Sequence, residues 1–349
     1  MPTTYAIPDG RVAMAATLYT GTGASQTISN AVNGVSFQPD FVWVKGRSFV
    51  SYNGLIDSVR GRSSDLYSNA TIAEETSGST EDLTSFNSNG FSLGTPARFG
   101  SNTSGQTYVA WQWKAGGTAV SNTAGSITSS VSANTTAGFS VVTWTGTNTA
   151  ATIGHGLGVA PAMYITKQRS ATGNWFTYHV SVGNTKGLFL DLTNASTTNT
   201  YFNNTSPTST VFSIGSGVGG LNASGVTQVT YCFAPVAGYS AFGSYVGNGS
   251  NDGPFIYTGF RPRFLLIKNT TTAGTNWEIW DSARDLYNVE SNRLYPDSSA
   301  AENGGQNAYD FLSNGFKARQ GGSTDTNQSG ATIIYMAFAE MPFKFANSR

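Results

Sequence analysis

Cysteine, histidine and charge are all scarce in this 349-residue chain. The single cysteine, Cys232, excludes an internal disulfide framework and any cysteine-rich metal cluster, and its place between Tyr231 and Phe233 suits a small buried hydrophobe. The two histidines, His155 and His179, stand 24 residues apart with no carboxylate or thiol at ligand spacing. A structural or surface role fits them better than a metal site or a catalytic base, so no metal and no cofactor is expected. Charged residues make up 11% of the chain, 19 basic against 19 acidic, which leaves no electrostatic footprint for nucleic acid or an acidic membrane. Long apolar runs are missing too, and the opening MPTTYAIPDGRVAMAATLYTG lacks the basic and apolar regions of a secretory signal. A soluble protein made in the cytoplasm, without membrane insertion, is expected. The glycine runs Gly154-His155-Gly156-Leu157-Gly158 and Gly215 to Gly220 miss the dinucleotide fingerprint and read as turns. No nucleophile elbow stands beside a histidine, and no carboxylate pair is placed for sugar hydrolysis, so the chain does not read as an enzyme.

What is present is a repeat. The stretch Phe37 to Arg47, FQPDFVWVKGR, returns as VAPAMYITKQR and as FRPRFLLIKNT. In each copy a proline (Pro39, Pro161, Pro262) precedes a lysine (Lys45, Lys167, Lys268) by six residues, with an apolar run between them. Proline suits the first residue of a strand, and the run is long enough for one buried strand and too short for a helix. Other landmarks recur in the same order. An aromatic and a glycine turn precede the strand at Tyr19-Thr20-Gly21, Trp144-Thr145-Gly146 and Tyr245-Val246-Gly247. Asp57-Ser58-Val59-Arg60 returns as Asp281-Ser282-Ala283-Arg284, and Ser88-Asn89-Gly90-Phe91 as Ser313-Asn314-Gly315-Phe316. Between the first and third copies the offset stays within 223 to 226 residues, a register that identifies a tandem repeat.

The expected architecture is all-β: three tandem β-sandwich or jelly-roll-like domains of about 100 residues each. The expected boundaries are an N-terminal arm over 1–14, a first domain over 15–117, a linker or extended surface strand over 118–136, a diverged second domain over 137–238 and a third over 239–349. The first domain reads as six to eight short strands, with a hairpin at Asn89-Gly90 and an acidic stretch from Leu66 to Leu83 that is a solvated loop or a short helical turn. Domains two and three have no spacer and should pack closely.

Two constellations carry candidate roles. Asp57 with Arg60, and Asp281 with Arg284, read either as a ligand-binding acid and base or, more simply, as carboxylates that close a tight turn and pair with arginine. Trp175, Trp277 and Trp280 follow the central strand and are either core residues or candidate glycan contacts presented by loops.

The motifs YTGTG, FQPDFVWVKGR, DSVRG and YVAWQWKAGG of the first copy, with WEIWDSARD, DFLSNGF and IYMAFAEMPFKFANSR of the last, resemble tandem-repeat virion proteins of marine tailed bacteriophages, the tail-fibre-like or capsid-appendage proteins. The resemblance covers copies one and three well and copy two weakly. It implies a non-enzymatic structural component of the virion, exposed on the particle, with other virion proteins as partners. The alternative is a carbohydrate-binding module that recognises a host surface glycan. Low charge and small polar surfaces favour assembly in several copies, expected as a homotrimer, since fibres and spikes of such particles generally resemble trimers.

Overall fold

The structure, a computed structural model, describes residues 5–342; the first four residues of the expected arm and the last seven of the chain lie outside it. The protein is all-β, and every ladder between its strands is antiparallel.

The three copies build the same pair of sheets. In the larger sheet an opening strand (Met14–Thr20, Phe139–Thr145 or Ser240–Val246) pairs with the closing strand (Thr107–Trp113, Thr227–Phe233 or Thr332–Pro342). The closing strand pairs in turn with the central strand (Phe41–Gly46, Met163–Gln168 or Phe260–Asn269), and that with Gly54–Asp57, Phe176–His179 or Trp277–Asp281. The register is common to all three: Phe41 faces Trp113 and Asp57, Met163 faces Phe233 and His179, and Phe264 faces Phe338 and Asp281. A smaller sheet lies over one face. In copies one and three it contains the Asn-Gly hairpin, with Phe86 opposite Phe91 and Phe311 opposite Phe316. In copy two it has two strands, Ala151–Gly154 and Val211–Ile214.

Two glycine signals have steric causes. A Cβ on Gly21, Gly146 or Gly247 would meet the carbonyl of Thr103, Ala223 or Gln328, so the turn after each aromatic tolerates no side chain. Gly90 sits at φ 143° with the Ile28 carbonyl against it, a backbone conformation that side-chain-bearing residues rarely adopt.

Each central strand is buried on both faces, and the two faces have different partners. Val42 and Val44 face the copy's own smaller sheet, within a private core shared with Ile28, Phe91 and Leu93. Equivalent private cores form around Tyr164 and Phe212 in copy two and around Leu265 and Phe316 in copy three. The alternate residues Phe41 and Trp43, Met163 and Ile165, Phe264 and Leu266 point the other way, into one core common to all three copies. At its centre Trp113, Phe233 and Phe338, equivalent positions of the closing strands, form a triangle of ring centroids 5.7 to 6.1 Å apart, every pair edge to face. Such pairs contribute about 0.5–1.5 kcal/mol each beyond their buried area. The copies are therefore arranged as a threefold ring within one chain, with three private cores and one shared core.

Of four smaller expectations, one is resolved and three change. The 118–136 segment follows the strand alternative rather than the linker: Val120–Asn122 and Ser129–Asn134 are strands that extend the second larger sheet beyond its opening strand. The arm is docked from residue 5 onward, with Ile7 and Ala13 buried in the common core and Gly10 against the backbone of Ala339 and Glu340. The first copy has nine strands rather than six to eight. Pro262 lies inside its strand, at an irregularity in the ladder, where its missing N–H removes a bond.

Candidate functional site

The chemistry of the chain concentrates where one copy meets the next. Asp57 accepts from the backbone N–H groups of Val59 and Arg60 through Oδ1 and from Arg60 Nε through Oδ2 at 2.5 Å. Asp281 repeats this with Ala283, Arg284 and Arg284 Nε at 2.7 Å. Both ion pairs have fully buried side chains, so the turn reading holds and neither pair is open to a ligand. Each carboxylate also reaches into another copy. Tyr231 Oη donates to Asp57 Oδ2 at 2.9 Å, and Trp111 Nε1 to Asp281 Oδ2 at 3.0 Å. His179 holds the same ladder position in copy two. Its Nδ1 accepts from the Ser181 N–H, which leaves the proton on Nε2 to be donated to the Tyr335 carbonyl at 3.1 Å. Burial pushes His179 down to about 4, so it stays neutral. Copy one thus bonds to copy two, two to three and three to one.

The tryptophans follow the same rule. Trp175 and Trp277 occupy the position four residues before His179 and Asp281, and Asn53 is their counterpart before Asp57. Trp175 Nε1 donates to the Tyr67 carbonyl, Trp277 Nε1 to the Phe189 carbonyl, and Asn53 Nδ2 to the carbonyls of Tyr295 and Pro296. Each bond crosses to the neighbouring copy. Trp175, Trp277 and Trp280 are no more than 1% exposed, which corrects their candidacy as glycan contacts: a ring with no open face cannot stack on a sugar. Trp280 belongs to the private core of copy three.

A loop of each copy closes the seam from outside. Glu74, in the stretch expected to be a solvated loop or a short helical turn, instead joins Arg60 of its own copy to Arg169 of copy two, at 2.9 and 2.7 Å. Glu302 joins Arg284 to Arg47 of copy one in the same way, at 3.0 and 2.8 Å. Burial raises both acids, but the arginines outweigh it and hold them below the usual carboxylate range. At the third seam the partners are neutral: Val182 stands in place of the turn arginine, and Ser196 meets the Thr270 carbonyl.

Beneath these loops lie the repeated lysines. Lys167 Nζ donates to the carbonyls of Thr71 and Gly173 at 2.9 and 2.6 Å, and Lys268 Nζ to those of Asn269 and Thr275 at 2.9 and 2.8 Å. Lys45 Nζ finds only longer contacts, 3.4 Å to the carbonyls of Ser51 and Ser298. Burial lowers Lys45 to about 7 and the other two to about 8. Asp191 and Asp297 lend charge to the latter pair, while Lys45 has the neutral Asn69 at the matching place.

Above Lys45 the seam between copies one and three opens into a groove of about 410 Å³, lined by Phe49, Val50, Ser51, Tyr52, Arg98, Phe99 and Ser299. No cluster of three potential metal ligands occurs among the described residues. Nor, among them, is any helix long and apolar enough to cross a membrane. His155 is buried against the Thr208 carbonyl, and buried Cys232 has its thiol pushed up by desolvation.

Sequence reasoning found the turn pairs and missed the seams. The signal was available in the shared position of Asn53, Trp175 and Trp277, which no private role explains. No curated protein matches the chain, and no solved structure matches it. One family does, over residues 12–342, a span that takes in all three copies together; the chain belongs to that family, described as a domain of unknown function, DUF7483.

Proposed function

We propose that the chain is a non-enzymatic structural component of a tailed-phage virion, exposed on the particle as a tail-fibre-like element or capsid appendage. The observation that carries this reading is the closed ring: three copies interlocked through a common aromatic core, with the chemistry-bearing side chains spent on holding the seams. Buried acid–arginine pairs and neutralised histidines serve rigidity, which a particle component needs. The resemblance of the repeat motifs to virion proteins supports the same assignment. In this reading chains meet other virion proteins, and each other as a homotrimer, through outer polar faces, because the apolar core is occupied internally.

The test is mass spectrometry and cryo-microscopy of purified particles from the phage that encodes the chain. A three-lobed density at stoichiometric copy number is expected. Absence of the chain from particles that are otherwise complete would overturn the assignment.

A second reading, a carbohydrate-binding module, is favoured by one observation, the aromatic groove beside Tyr52.

A further inference from the structure

Threefold repetition provides an internal control, since a feature required by the fold should occur three times. The loop after the central strand is Ser170-Ala171-Thr172-Gly173-Asn174-Trp175 in copy two and Thr271-Thr272-Ala273-Gly274-Thr275-Asn276-Trp277 in copy three. Both are small and polar up to a buried tryptophan. In copy one the loop is Ser48-Phe49-Val50-Ser51-Tyr52-Asn53. Large apolar residues stand where the other copies have small ones, although all three loops make the same seam bond, from the N–H of Ser51, Gly173 or Gly274 to the carbonyl of Ser299, Thr71 or Thr193. The fold does not require Phe49, Val50 and Tyr52.

Their exposure is the second observation. Val50 is 70% and Tyr52 43% exposed. Tyr52 is nonetheless fixed: its ring stacks on buried Tyr67, with centroids 4.8 Å apart and planes 19° from parallel. Phe49 is held edge to face on Tyr108, and Phe99 packs on Tyr67. These rings form a preorganised apolar wall. Polar groups stand beside it. Ser51 is in the groove wall, its hydroxyl buried beneath the surface without a hydrogen-bond partner among the described residues. Arg98 is 46% exposed at its side chain and uses two nitrogens on Glu75 and Thr76, which leaves N–H groups free at the rim.

We propose that this groove between copies one and three binds a hexopyranose ring of a glycan. A sugar ring has an apolar C–H face, which stacks on an aromatic side chain, and an edge of hydroxyls, which bond to groups like Ser299 and Arg98. A pocket a few hundred cubic ångströms in size, with rigid aromatic walls and a few polar groups, suits one such unit. An acidic sugar would place its carboxylate toward Arg98, and a neutral one would use hydroxyls alone.

The experiment is saturation-transfer NMR on the full chain with methyl β-glucoside, methyl β-galactoside and glucuronic acid as separate probes. Transfer to ring C–H protons is expected for at least one of them. It should fall at least fivefold in Tyr52→Ala and in Val50→Asp, the latter at an exposed position of the groove mouth. A stronger signal from glucuronic acid that Arg98→Gln removes would identify the acidic form; an equal signal from the glucoside would identify the neutral one. No transfer from the parent chain to any of the three probes, or undiminished transfer in Val50→Asp, would overturn the proposal. Because the measurement uses the isolated chain, a negative result leaves the particle assignment standing, and absence from particles leaves the groove standing.

Discussion

The indole N–H of Trp111 donates to the carboxylate of Asp281 at 3.0 Å, joining residues 170 positions apart on the first and third copies. The same oxygen accepts from Arg284, so one carboxylate both closes its own turn and locks the ring. Removing that carboxylate takes from a fully buried guanidinium the nearer of its two acidic partners and leaves it Glu302 at 3.0 Å. Asp281→Ala should therefore cost about 3–5 kcal/mol, whereas Trp111→Phe, which leaves the ion pair intact, should cost about 1–3 kcal/mol. Urea unfolding of both variants checks the order.

The second copy offers the converse experiment. Val182 packs against the common core at the place where the other copies carry the turn arginine. Val182→Arg alone buries an unpaired charge and should destabilise strongly. Adding His179→Asp supplies its partner, and the pair should recover on the order of 1–3 kcal/mol relative to additivity. A double-mutant cycle measures the coupling, and strict additivity would show that the second seam cannot accommodate the motif.

The lysines set a pH dependence. Burial lowers Lys45 to about 7, below its unfolded value, so between about 7 and 10.5 the unfolded chain binds more protons at this position and the contribution of Lys45 to stability rises with pH. Below about 7 the penalty is fully present. Lys45→Met removes it, so the advantage of the variant over the parent should be greater at pH 6.5 than at pH 10, by about 2–4 kcal/mol. Paired melts at the two pH values test the sign.

Gly247→Ala would push a methyl group into the Gln328 carbonyl and should cost about 1–3 kcal/mol, as should Gly21→Ala against Thr103. Thermal melting of either variant without a loss would mean that the turn yields more easily than its geometry indicates.

The repeat and its strands were legible because spacing records local geometry: the Pro-to-Lys interval, the glycine turns and the Asp-Ser-x-Arg turn each reflect contacts within one copy. The ring was hidden because its contacts join residues such as Trp111 and Asp281, whose proximity no local pattern encodes. One sign of it was present nonetheless. Phe41-Val42-Trp43-Val44 is apolar at every position, the pattern of a strand covered on both faces, and a single two-sheet sandwich buries only one face of each sheet. The groove was missed for a different reason. Tryptophan, the largest ring, is used by the fold for its own seams, while the exposed ring of the groove is a tyrosine that stands out from its counterparts only in a comparison of the three loops.

Joining the three copies covalently frees them from identity. In an assembly of three separate chains, one codon change alters every interface simultaneously, and a substitution must be tolerated three times over. Here the seam built from His179, Val182 and Ser196 is made of neutral contacts while the two others carry charged ones. The same freedom lets a single loop take on aromatic residues without placing them at three sites. A gene of this design can specialise one lobe while the remaining two continue to serve as scaffold.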